Sequence, residues 1–99
     1  MIHYRIVVDA YSPNKRQPEF THTFFADVEP GMQRPGREGI IKAELEDMAW
    51  ALLVSRDMMS SGLLVSVQAL SSNRDAPKRM PDMASSGISL WYFGIDHKP

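Results

Sequence analysis

Twice in its first 28 residues the chain alternates apolar and polar side chains, and then the period changes. In Ile2 to Tyr11, the residues Ile2, Tyr4, Ile6, Val8 and Ala10 share a face, opposite His3, Arg5, Val7, Asp9 and Tyr11. In Glu19 to Val28, Phe20, His22, Phe24, Ala26 and Val28 oppose Thr21, Thr23, Phe25 and Asp27. Period two specifies a half-buried strand, because successive side chains on a pleated backbone point to opposite sides. The polar stretch SPNKRQP between the two segments carries Pro13, Asn14 and Pro18, so the pair reads as an antiparallel hairpin.

Beyond EPGMQRPGREG the apolar spacing becomes helical. Ile41, Leu45, Met48, Leu52 and Met59 fall near 3.6 residues apart, with Ala49 beside them. This predicts an amphipathic helix from about Arg37 to about Ser60, stopped by Gly62. Trp50 and Val54 lie off the main stripe, which makes the apolar surface of the helix wide or partly exposed.

Leu63 to Leu70 returns to alternation, and Ile88 to Ile95, ISLWYFGI, is apolar on both faces with a Trp-Tyr-Phe run that suits a strand. The expected fold class is therefore α+β: a two-layer β-β-α-β-β domain, a four-stranded, mostly antiparallel sheet with one helix packed on one face. Residues 1–99 form a single domain, with a long polar loop at 71–87. Val7, Phe25 and one of the Trp91/Tyr92 pair are left for the face away from the helix. An apolar residue set on that face suggests a partner there, a second copy of the chain among the candidates.

The loop, SSNRDAPKRMPDMASSG, is longer than most connections in a compact domain. Hairpin-plus-crossover topology puts it at the same end of the sheet as the loop from Glu29 to Glu38. That end is expected to gather Arg34, Arg37, Arg74, Lys78 and Arg79, near the N-terminus of the helix, where anions are favoured. Glu29, Glu38, Asp75 and Asp82 share it, so the charge there is mixed. Met80 and Met83 add adaptable apolar contact, and the seven residues Arg34, Arg37, Arg74, Lys78, Arg79, Met80 and Met83 are the candidate partner or anion contacts. On this reading Arg74, Lys78 and Arg79 serve the partner and can be replaced by Ala without moving the thermal midpoint.

Composition closes several chemistries. There are no cysteines, so disulfides, thiolate catalysis and sulfur-ligated zinc are excluded. The net charge of −1 gives no global field towards polyanions. His3, His22 and His97 have no metal-ligand spacing, although His3 and His22 could approach each other across the hairpin. Glu44, Glu46 and Asp47 read as a solvated helix face, and no serine sits in a G-x-S-x-G elbow. No metal or cofactor is implied, and no enzymatic activity is expected. MIHYRIVVDAY lacks the pattern of a signal peptide, and no apolar run is long enough to span a bilayer, so a cytoplasmic protein is expected.

These readings point to a small non-enzymatic protein-binding module. It would act as a regulator or inhibitor of a larger complex, of the kind that phages and mobile elements encode. The alternative is a nucleic-acid-binding accessory protein using the basic loops, which steep salt dependence would reveal.

Overall fold

The computed structural model describes residues 1–11, 20–32, 38–58, 62–85 and 87–97. The elements are β1 (Ile2–Tyr11), β2 (Phe20–Val28), a 3-10 turn (Pro30–Met32), α1 (Glu38–Ser55), β3 (Gly62–Leu70), β4 (Met83–Ser85) and β5 (Ile88–His97). The predicted hairpin loop SPNKRQP lies outside the described residues. The five strands form one sheet in the order β3-β1-β2-β5-β4, and every neighbouring pair is antiparallel.

The α+β class and the single helix agree with the sequence reading, but the sheet has five strands, not four. The extra strand, β4, lies inside the segment read as loop. It is three residues long and pairs Met83 with Leu90, Ala84 with Ser89 and Ser85 with Ile88. So short a strand leaves too little alternation to be seen in sequence. It is held in place by its hairpin with β5, where Gly87 has φ 78°, a value that side chains with a Cβ rarely adopt.

The two faces of the sheet follow the alternation. Tyr4, Ile6, Val8, Phe24, Ala26, Val28, Ile88 and Leu90 are buried beneath α1, which contributes Ile41, Leu45, Ala49, Leu52 and Leu53. The helix lies over β1 and β3. No helix in the described residues is long and apolar enough to cross a membrane.

The helix stops earlier than its apolar spacing predicted, and for a different reason. It ends at Ser55 and is closed by Asp57, whose φ is 55°. Met58 N–H donates to Leu53 O at 2.9 Å and Asp57 N–H donates to Val54 O at 3.1 Å. This pair of bonds satisfies the last carbonyls in a Schellman cap, with aspartate where glycine is usual. Met59, expected on the core stripe, lies outside the described residues.

Candidate functional site

Ile2, Val28, Leu70 and Ile88 end their strands together at one end of the sheet, its foot. Residues 71–82 leave β3 at this foot, as topology required. They then leave the end and run as a strap over the face turned away from the helix.

Contacts trace the strap's course. Asn73 opens a turn, with Ala76 N–H donating to Asn73 O at 3.1 Å. The Asn73 amide donates to Ala26 O at 3.1 Å and to the Asp27 carboxylate. The Asp27 carboxylate also lies 2.6 Å from Nδ1 of His3, its direct cross-strand partner. Further along, the Trp91 indole N–H donates to Arg79 O at 2.8 Å. Pro77 and Pro81 suit such a path, since a strap outside the ladder has no partner for an N–H and proline has none to satisfy.

The apolar residues on this face are covered unequally. Phe25 is only 5 % exposed, and it meets Phe93 edge-to-face at 5.4 Å. Phe25 is thus covered within the chain, whereas Phe93 stays 55 % exposed on the same face. A cleft of about 380 Å³ remains beside the strap, lined by Arg5, Val7, Thr21, Thr23, Asp75 and Phe93. The Thr21 hydroxyl donates to Asp9 at 2.9 Å, and the Arg5 guanidinium donates to Gln68.

At mid-height the strap turns around the β5 edge and becomes a clamp. Asp82 Oδ2 accepts the Tyr92 backbone N–H at 2.7 Å and an Arg79 N–H at 2.8 Å. Arg79 donates in addition to Tyr92 O at 2.7 Å, so both outward backbone groups of Tyr92 are engaged. Asp82 Oδ1 accepts from Arg56 at 2.7 Å, which ties the end of α1 to the same point. The Arg56 guanidinium also lies 5.6 Å from the centre of the Tyr92 ring. Burial alone would push the Asp82 carboxyl up. The hydrogen bonds from Arg79, Tyr92 and Arg56 and the Arg79 charge outweigh it and hold the group down at about 2.

The clamp corrects the expected place of Arg79. It sits at the side of the sheet on Tyr92 rather than at its foot, because the strap climbs from Asn73 to reach Asp82. Arg34 and Arg37 lie outside the described residues. Arg74 and Lys78 are exposed on the strap. Met80 is 86 % exposed, whereas Met83 begins β4 and packs against the core. The described candidates are therefore not gathered at one end but are spread along the strap and around the β5 edge.

His3 and His22 also separate. Cross-strand register puts His3 on the strapped face and His22 opposite Val8 on the helix face. His22 is buried, with Nδ1 3.1 Å from the Tyr92 hydroxyl, and burial lowers its pKa. No group of three or more metal-ligating side chains occurs among the described residues.

Among the described residues, nothing pairs with the opposite edge of the sheet. β3 runs nine residues, GLLVSVQAL, with no charge and no proline. Edge strands usually carry such residues, or are short, or are covered, because their free backbone groups would template another strand. The β4–β5 side has these protections and β3 has none among the described residues. Its outward backbone groups can be named. Tyr92 and Leu90 turn theirs away from β2, since Asp82 bonds both. Alternation across β5, β2 and β1 then turns Leu64, Ser66 and Gln68 towards β1 and leaves the N–H and C=O groups of Leu63, Val65, Val67 and Ala69 facing outward. Leu64 is 54 % exposed, and Val65 and Val67 are half-buried.

The helix has an exposed apolar set as well, formed by Ile40, Trp50 and Val54. Asp47 falls between Ile40 and Val54 at seven-residue spacing on the same side, which breaks the stripe with a charge. No family model, no curated protein and no solved structure matches the chain.

Proposed function

We propose that the protein is a non-enzymatic protein-binding module that adds an extended segment of its partner to the sheet along β3. The observation that carries this reading is the contrast between the two edges. One is closed by a three-residue strand and the Asp82–Arg79 clamp, while along the other no described residue takes up the outward groups of a nine-residue uncharged strand. Strand addition draws its affinity from such main-chain groups and its selectivity from alternate side chains. Here those side chains are Leu64, Ser66 and Gln68 on one face, and Val65 and Val67 on the other. The contact thus lies along an edge, away from the candidate residues on the strap.

The nucleic-acid alternative loses support on the same grounds. Arg79 and Arg56 are both committed to Asp82, and of the cations described on the strap only Arg74 and Lys78 face solvent without an ion pair.

Selection of short random peptides on the immobilised protein tests the reading. Bound peptides are expected to slow amide exchange at Leu63, Val65, Val67 and Ala69, with little change at Arg74 or Lys78. Protection confined to the strap, or tight nucleic-acid binding that falls steeply with salt, overturns it.

A further inference from the structure

We infer that the strand that fits β3 is a second copy of β3, so that two chains join edge to edge about a two-fold axis through Ser66. This rests on the reading of β3 as a binding edge and names its occupant. The strand is centred on Ser66, with four residues on either side from Gly62 to Leu70. Antiparallel pairing about that centre sets Leu63 opposite the partner's Ala69, and Val65 opposite the partner's Val67. All four outward-facing residues of each chain then fall in hydrogen-bonded pairs, and none is left over. A one-residue shift would set outward groups against inward ones, so the register is restricted to even steps, and the centred one uses every group.

The side chains agree with this register. On the helix face Val65 and Val67, now half-buried, gain their counterparts across the seam, and β-branched cross-strand pairs are favourable. On the other face Ser66 meets the partner's Ser66, and the exposed Leu64 meets the partner's Gln68. The strand has no charged residue, so its own copy brings no like charge opposite itself. A two-fold contact of this kind closes on itself and leaves no free β3 edge to grow a fibre. The joined sheet ends on both sides in clamped β4–β5 edges.

Sedimentation of the wild type, Ser66→Lys and Ser66→Glu across about a hundred-fold range of concentration tests this inference. Ser66 is exposed, so both substitutions are expected to preserve the fold, which thermal melting checks. The wild type is expected to run as a dimer of the 11.2 kDa chain. Each variant alone sets two like charges on the axis and weakens association roughly fivefold or more. An equimolar mixture of the two is expected to recover dimers, because only a seam that pairs position 66 with itself brings Lys and Glu together. A wild type that stays monomeric while selected peptides still protect Val65 and Val67 sinks the self-pairing and leaves the binding edge standing. A monomer whose selected peptides bind elsewhere removes both. A dimer indifferent to both substitutions, or not restored by mixing, places the seam away from β3 and overturns the inference.

Discussion

Asp82 accepts the backbone N–H of Tyr92 at 2.7 Å, in the place where a longer β4 would have supplied a carbonyl. A side chain thereby ends the sheet. Unlike a carbonyl, this acceptor titrates, which gives the closed edge a pH limit. The Asp82 carboxyl is held at about 2 against an ordinary value of 3.8, so above about pH 4 its full contribution to stability is present. As pH falls from about 4 to about 2 the unfolded chain takes up the proton first, and the contribution is lost. With the side chain only 13 % exposed, the loss is expected to reach about 1–2 kcal/mol. Urea unfolding at pH 5 and pH 2.5 checks it: the drop should be smaller in Asp82→Asn by about that amount. Equal drops in the two proteins would show that Asp82 contributes nothing to the acid response.

The three strap cations should separate. Arg79 donates to both Asp82 and Tyr92 O, so Arg79→Ala is expected to lower stability by about 1–2 kcal/mol. Arg74→Ala and Lys78→Ala touch no such bond and should stay within about 0.5 kcal/mol of the wild type. Thermal melts of the three single variants decide this. A uniform, near-zero set would restore the sequence expectation that all three are free to serve a partner.

The parts of this fold that are periodic were legible, and the parts held by single contacts were not. Alternation in Ile2–Tyr11 and Phe20–Val28 carries its face assignment in every residue, and Phe25 was correctly set apart from Phe24. The strap is different. Its path depends on Asn73 finding Asp27, Trp91 finding Arg79 O and Asp82 finding Tyr92 N–H, partners 10 to 46 positions away. None of these leaves a local pattern. A signal for the bare edge was present in GLLVSVQAL, a strand without charge or proline, but sequence order alone does not say which strand lies outermost. Arg79 lies away from the foot because topology sets where the long segment starts and not where it goes.

Asp57 caps the helix in a left-handed conformation that costs a residue with a Cβ about 1 kcal/mol relative to glycine. The Schellman bonds from Asp57 and Met58 are made by the backbone and survive the change. Asp57→Gly is therefore expected to stabilise the protein by about 0.5–1 kcal/mol, or a few degrees in thermal midpoint for a domain of this size. A lower midpoint would mean that the aspartate side chain contributes more to the cap than its backbone strain costs.

His22 sets a second, milder acid limit. Its ring is buried on the helix face beside the Tyr92 hydroxyl, and burial disfavours the charged form, so its pKa lies below the ordinary 6.5. Between 6.5 and that lowered value the unfolded chain binds a proton that the folded chain does not. Stability therefore falls as pH drops through this window and is fully present above it. Proton uptake would also put an unpaired charge among Val8, Phe24 and Tyr92. His22→Gln keeps a polar group near the Tyr92 hydroxyl but cannot titrate. Between pH 7.5 and pH 5.5 the wild type is expected to lose more stability than His22→Gln. Parallel profiles would assign the neutral-range response to another group, and a wild type that loses less stability than His22→Gln would reverse the sign argued for His22.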